Sequence, residues 1–201
     1  ILEHIINYYA KFGHSEFVVA LGYKSEIIRE YFAETKIPNV EINLVDTGLE
    51  TSTGGRIKKL EDQLNEEFML TYGDGLADIN LDELIKFHLS HGKKATVTTV
   101  KPLTRFGVLD FDASGIVTKF REKPIMDNWV NGGFFIFEPG IKEYLDKNCI
   151  LEKEPLSNLV RDGELVAYQH KGFWQPMDTI RESDFLNDLW NKGKAPWKNW
   201  S

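Results

Sequence analysis

The chain has 201 residues, 42% hydrophobic and 27% charged, a balance that builds a core and excludes a disordered chain. Its length points to a single domain over residues 1–201, and a net charge of −7 with scattered Lys and Arg excludes nucleic acid as the expected partner. No apolar run is long enough to span a bilayer, so a membrane is not expected either. Cys149 is the only cysteine, so no intrachain disulfide can form, and a reducing cytoplasm is the expected compartment.

The first stretch, Ile1 to Tyr9, carries apolar residues at 1, 2, 5, 6, 8 and 9, a helical period. It begins with no cap and no preceding strand, as the middle of a domain would, so an N-terminal segment is expected before it. Glu16 to Gly22 is a short apolar run stopped by glycine, which predicts a buried parallel strand. Ser25 to Glu34 is predicted helical, Val40 to Val45 a strand. Thr51 to Arg56 predicts a glycine turn leading into a helix through Leu64. A strand at Glu67 to Tyr72, a helix at Leu81 to His91 and a strand at Ala95 to Val100 continue an alternation typical of layered α/β sheets.

The character then changes. Gly107 to Phe111 and Ile116 to Arg121, joined by Asp112-Ala113-Ser114-Gly115, read as a β-hairpin. Asn131 to Phe137 is an apolar strand entered through two glycines, and Ile141 to Lys147 and Lys153 to Asp162 are predicted helical. A strand at Leu165 to His170 and a helix at Thr179 to Lys192 complete the order. The expected fold is α/β: a mixed, mostly parallel, Rossmann-like sheet with helices on both faces, plus a small hairpin-rich subdomain.

Two acids stand out. Asp74 lies in Gly73-Asp74-Gly75, directly after a strand, and Asp178 follows Trp174-Gln175-Pro176-Met177 just before a helix. Ligands of open α/β sheets bind outside the carboxyl ends of the strands, and glycines beside an acid permit close approach. Two carboxylates there suit Mg²⁺, although Asp and Gly are also ordinary turn residues. Thr51 to Arg56 has the composition of an anion-binding turn, with Gly54 and Gly55 offering backbone N–H groups and Arg56 a planar fork of donors; a plain glycine turn remains open. In Arg121-Glu122-Lys123-Pro124 the proline is expected to hold Lys123 extended, with its ammonium free for a phosphate; a solvated charge run is the alternative. Asn131 and Gly132 at a strand mouth suit a sugar ring, or simply a bulge. The five histidines show no metal-ligand spacing, and His88 and His91 are read as surface or packing residues.

These segments, in order, resemble the sugar-phosphate nucleotidyltransferases, and within them the cytidylyl branch. The resemblance rests on Val45-Asp46-Thr47-Gly48, Thr53-Gly54-Gly55-Arg56, Thr71-Tyr72-Gly73-Asp74-Gly75, Arg105-Phe106-Gly107, Glu122-Lys123-Pro124 and Asn131-Gly132-Gly133-Phe134-Phe135. It continues through Gly172 to Thr179 and Gly193 to Lys198. It implies a reaction in which CTP and α-D-glucose 1-phosphate give CDP-glucose and pyrophosphate, with Mg²⁺ held by Asp74 and Asp178. It further implies Lys123, Glu122, Asn131 and Gly132 at the sugar phosphate, and Thr51, Gly54, Gly55, Arg56 and Gly73 at the nucleotide. Lys123, Arg56 and Asp74 would then act on the reacting groups. The resemblance also implies a homo-oligomer and a place in dideoxysugar synthesis for cell-surface polysaccharide.

Two departures stand beside it. The family's N-terminal Gly-Gly-x-Gly-Thr-Arg loop has no counterpart here, and only Thr35 to Asn39 occupy the place of a longer segment in the cytidylyl branch. A non-catalytic sugar-phosphate-binding protein, a uridylyl- or thymidylyltransferase and a metal-dependent glycosyltransferase stay open as alternatives. Against the last, Asp74 and Asp78 lie four apart rather than in an Asp-x-Asp pattern.

Overall fold

The computed structural model describes residues 1–64 and 66–200. Its first half runs α1 (Leu2–Lys11), β1 (Glu16–Leu21), α2 (Ser25–Glu34), β2 (Glu41–Asp46), α3 (Thr53–Lys59), β3 (Phe68–Thr71), β4 (Gly75–Ala77), α4 (Leu81–His91) and β5 (Ala95–Val100). Then come β6 (Val108–Phe111), β7 (Val117–Arg121), β8 (Val130–Phe137), α5 (Glu154–Arg161), β9 (Leu165–Gln169), β10 (Trp174–Pro176) and α6 (Ile180–Asn191). Two expected helical stretches are shorter and tighter. The helix expected to reach Leu64 ends at Lys59 and gives way to a 3₁₀ turn at Glu61–Gln63. The one expected at 141–147 is a 3₁₀ turn at Pro139–Tyr144, where an initial proline and Gly140 favour a short tight helix over a sustained one.

The central sheet has the order β3-β8-β5-β9. Strand β8 is antiparallel to both β3 and β5, while β9 is parallel to β5, so three strands share one direction and β8 opposes them. The sheet is mixed, as expected, but among the described residues parallel pairing is confined to β5·β9 and to the separate pair β1·β2. The physical reason is the connection: a parallel neighbour needs a long crossover, and β8 instead returns from the β6–β7 hairpin region with no helix between.

Strand β8 explains why its sequence is a continuous apolar run. Successive side chains point to opposite faces. Phe134 and Ile136 enter a core with Ile5, Tyr8 and Tyr9 of α1, Leu81 and Leu84 of α4 and Leu186 of α6. Phe135 and Phe137 enter a second core with Ile57 of α3, Ile141 of the 3₁₀ turn and Leu159 of α5. Helices therefore cover both faces, and neither face of β8 tolerates a polar residue. A third, smaller core packs Ile6 and Phe32 against the β1–β2 pair. Among the described residues no helix is long and apolar enough to cross a membrane.

Candidate active site

Asp74 and Asp178 are brought together by the short pair β4·β10. The strands are antiparallel with Gly75 opposite Pro176. Asp74 immediately precedes β4 and Asp178 follows β10 by two residues, so the pairing sets the start of one beside the end of the other. The Met177 N–H donates to the Asp74 carbonyl at 2.9 Å and closes this end. Burial first, and the Asp178 charge second, push the Asp74 carboxyl above its ordinary value. A carboxylate raised by a like neighbour is one whose charge lacks compensation. An oxygen-only donor set of this kind fits a hard divalent cation. Side chains added at Gly73 or Gly75 would meet nothing within 4 Å, so the turn around Asp74 faces open space.

Asp178 is positioned by the start of α6. Thr179 is the helix cap, its hydroxyl accepting from the Glu182 N–H, while the Glu182 carboxylate accepts from the N–H groups of Asp178 and Thr179, both at 2.9 Å. This reciprocal cap fixes the backbone that carries Asp178. Arg105 adds a cation: its Nη2 lies 3.0 Å from Glu182 and 3.9 Å from Asp178.

The residues expected at the sugar lie at the same end of the sheet. Gly132 and Gly133 form a bulge, since Val97 and Thr99 of β5 face Phe135 and Asn131 of β8. Gly133 takes φ 78° and receives the Tyr72 ring where a Cβ would stand, 2.5 Å from Cδ2. Only glycine fits both demands. The Asn131 amide oxygen accepts from the Gly133 N–H, and its Nδ2 donates to the Tyr72 hydroxyl at 3.3 Å. The Trp174 indole donates to the Gly132 carbonyl at 2.8 Å, tying β10 to the bulge. Asn131, Gly132, Asp74 and Asp178 are thus joined through Tyr72 and Trp174.

Lys123 departs from expectation. It has φ 44°, in the left-handed region, and is not extended. The segment turns there because the Thr104 N–H donates to the Pro124 carbonyl and Leu103 bridges Ile125, so the chain must reverse between β7 and that bridge. A non-glycine residue held at positive φ is uncommon and marks a constrained position. The Lys123 ammonium lies 3.5 Å from Glu122. Since Thr104 precedes Arg105, the same turn leads to the cation beside Asp178.

The glycine turn before α3 is also built differently from the expected anion cradle. Gly54 and Gly55 are inside the helix and buried against the loop at 147–151. A Cβ on Gly55 would stand 2.5 Å from the Lys147 carbonyl, one on Gly54 would meet the Cys149 sulfur, and the Gly55 N–H donates to the Cys149 carbonyl at 3.1 Å. Close packing accounts for both glycines. The Arg56 guanidinium donates to the Leu21 carbonyl at 2.8 Å, to the Leu49 carbonyl at 3.4 Å and to the Thr47 hydroxyl. It lies against Gly22 and ties the ends of β1 and β2 to α3. Thr51 donates to the Thr47 carbonyl at 2.5 Å and accepts from Lys59 at 2.9 Å.

Sequence reasoning overlooked four site residues. Glu152 accepts from Thr53 at 2.7 Å and from the Tyr72 hydroxyl, linking α3 to the Asn131 network. Tyr72 and Arg105 lay inside the family-like segments without a role attached. Asp78 accepts from the Phe173 N–H at 2.7 Å and lies 3.0 Å from His170, so it anchors the approach to β10. No spacing signal links residues 72 and 152, or 78 and 173.

The chain belongs to the nucleotidyl transferase family, whose model matches residues 1–182, and its layered α/β architecture with paired acids and open glycines at the strand ends fits that class. Among its relatives, the glucose-1-phosphate cytidylyltransferases of Salmonella typhi and Salmonella typhimurium strain LT2 are each 44% identical to it, covering 100% of this chain and 87% of their own. Each alignment spans 225 residues against 201 here, so this chain is the shorter within the matched region. Among solved structures, HddC from Yersinia pseudotuberculosis superposes with a TM-score of 0.75 over 94% of this chain and 84% of its own, at 19% identity, a likeness of fold.

Proposed function

We propose that this chain makes CDP-glucose and pyrophosphate from CTP and α-D-glucose 1-phosphate. The observation that carries the reading is the juxtaposition of Asp74 and Asp178 in a chain matched along its whole length by cytidylyltransferases. An oxygen of the sugar phosphate attacks the α-phosphorus of CTP, the bond to the bridging oxygen breaks in line, and pyrophosphate departs. The nucleophile is already ionised at neutral pH, so positioning and charge compensation supply the rate rather than a general base. Asp74 and Asp178 would hold Mg²⁺, which when bound neutralises triphosphate charge.

Lys123 holds the sugar phosphate as a point charge, fixed by its constrained backbone. Asn131, Glu122 and the open bulge at Gly132 receive the sugar hydroxyls. Gly73 lets the backbone approach the nucleotide, and Thr51 contributes from the far side of the α3 turn. Arg56 acts through the Leu21 and Leu49 carbonyls as a positioning residue. A cytoplasmic enzyme fits a nucleoside triphosphate substrate. A second copy is the proposed cover for the β6–β7 hairpin, which leaves Phe106, Leu109, Phe111 and Phe120 exposed; sedimentation of a Phe111→Ser/Phe120→Ser variant should show a smaller species than wild type.

The deciding experiment is pyrophosphate release with glucose 1-phosphate and Mg²⁺, comparing CTP, UTP, dTTP and ATP. Release with CTP well above the others is expected. Release with another triphosphate alone would replace cytidylyl transfer by its relative, and nucleoside diphosphate as product would point to glycosyl transfer.

A further inference from the structure

A second cluster of ligating side chains lies at the opposite end of the central sheet. Phe68 and Phe137 face each other in the β3·β8 ladder, so Glu67 and Glu138 are the next residues beyond its end. His88 reaches them from α4, where Leu81, Leu84 and His88 form the buried stripe. One ligand atom from each of the three lies within 4.8 Å of the others, the single such group of three among the described residues. Asp74 sits beyond the other end of β3, roughly 20 Å away at ~3.3 Å per residue.

His88 is the informative member. Its side chain is 1% exposed, and its Nε2 is buried without a hydrogen-bond partner among the described residues. That nitrogen points between the carboxylates, 3.4 Å from Glu138 and 3.6 Å from Glu67, too long for ordinary hydrogen bonds. Among the described residues, the ion-pair contact of each carboxylate is to His88. Burial, and then the Glu138 charge, push the Glu67 carboxyl upward, while at His88 burial pulls downward and outweighs the upward pull of Glu138. The cluster thus offers two carboxylate groups and a buried imidazole nitrogen at ligand spacing.

We propose that Glu67, His88 and Glu138 form a binding site for a late first-row divalent cation of the zinc class. The spacing supports this. With bonds of about 2.0–2.2 Å, neighbouring ligand atoms of a tetrahedral site stand roughly 3.3–3.6 Å apart, near both histidine–carboxylate distances. The carboxylate oxygens must draw together slightly, and both side chains are partly exposed, at 30% and 42%, so they can rotate. Solvent on that side supplies a fourth ligand. The imidazole selects zinc over Mg²⁺, which takes oxygen ligands.

Thr96, fully buried on β5, completes the outer shell. Its Oγ1 lies 2.7 Å from His88 Nδ1 and 2.8 Å from His91 Nε2. The Lys93 N–H donates to His91 Nδ1, so neutral His91 carries its proton on Nε2 and donates to Thr96. The two lone pairs of Oγ1 can accept from both rings. His88 then keeps its proton on Nδ1 and presents the Nε2 lone pair to the carboxylates. A hydrogen-bonded outer nitrogen is the usual support of a metal-ligating histidine. The bound ion would tie β3, α4 and β8 at the end of the sheet remote from Asp74.

The test uses the whole chain with Asp74→Asn/Asp178→Asn, to silence the other carboxylate pair, stripped with chelator and dialysed against Zn²⁺. One zinc per chain is expected, unaffected by millimolar Mg²⁺. Glu67→Gln/Glu138→Gln should weaken binding by more than ~10²-fold, above the usual loss for an outer-shell change, while a circular-dichroism melt checks that this variant folds. Nitrogen NMR of the histidine rings should move the His88 Nε2 resonance on adding zinc. Zero stoichiometry, equal affinity in the double carboxylate variant, or an unmoved His88 resonance would each overturn the site.

Discussion

Gly133→Ala isolates the geometry of the sugar-side bulge. An alanine there must adopt φ 78° and place its Cβ 2.5 Å from the Tyr72 ring. The left-handed conformation costs about 1–2 kcal/mol, and overpacking a filled site costs about 1–3 kcal/mol. The unfolded chain gives back about 0.4–1 kcal/mol through lost freedom. The net destabilisation is therefore roughly 2–4 kcal/mol, which in a chain of this size lowers Tm by about 5–15 °C. Gly73→Ala is the control, because its φ is outside the left-handed region and its Cβ meets nothing within 4 Å. It should stabilise by about 0.4–1 kcal/mol and yet raise KM for the nucleotide. In a Tyr72→Ala background, Gly133→Ala should keep only the backbone cost of about 1–2 kcal/mol, less the same unfolded-chain offset of about 0.4–1 kcal/mol. Thermal and urea melts of the wild type, the three single variants and the double variant decide the matter. Equal stability of Gly133→Ala and Gly73→Ala would refute the bulge and the packing of Tyr72 on it.

Other expectations follow from the acid pair and its supports. Asp74→Asn should reduce turnover by at least ~10²-fold, since several kcal/mol of charge stabilisation depend on the cation it is proposed to hold. Because the folded carboxyl is raised, its contribution to apo stability is present below the ordinary carboxylate range and lost as pH rises through the folded value. With chelator present, Asp74→Asn should flatten that fall in Tm with rising pH; an unchanged slope would show that Asp178 does not crowd it. Thr179→Ala removes the α6 cap, worth about 1 kcal/mol, and should weaken metal binding as well, measured by titration with Mn²⁺. Trp174→Phe loses the bond to the Gly132 carbonyl, about 0.5–1.5 kcal/mol, and a wild-type Tm would argue that this bond contributes nothing. Lys123→Met should raise KM for glucose 1-phosphate more than KM for CTP; the reverse order would move Lys123 to the nucleotide.

Local signals carried far along this chain. The period of Leu81 to His91 and the β-branched run of Ala95 to Val100 match α4 and β5 at both ends, because each is bounded by its own caps or turns. Asn80 caps α4 and Gly92 ends it at φ 61°, both legible as residue types. Strands β4 and β10 were harder. Each has three residues, too few for a period, and they exist only because they pair with one another. Lys123 misled for a related reason: the proline rule describes a free dipeptide, whereas Thr104 and Leu103 force the reversal from outside.

The sequence by itself determined which residues are apolar at which period, where glycines interrupt them, and that two acids stand at turn positions in a family-like order. Those properties depend on neighbours within a few positions. Only the tertiary structure decided why Gly54 and Gly55 are glycines, that Arg56 holds carbonyls, and that His88 faces Glu67 and Glu138. Each of these depends on groups dozens of residues away, brought together by strand pairing and core burial, and no local pattern encodes what a side chain will meet across a sheet.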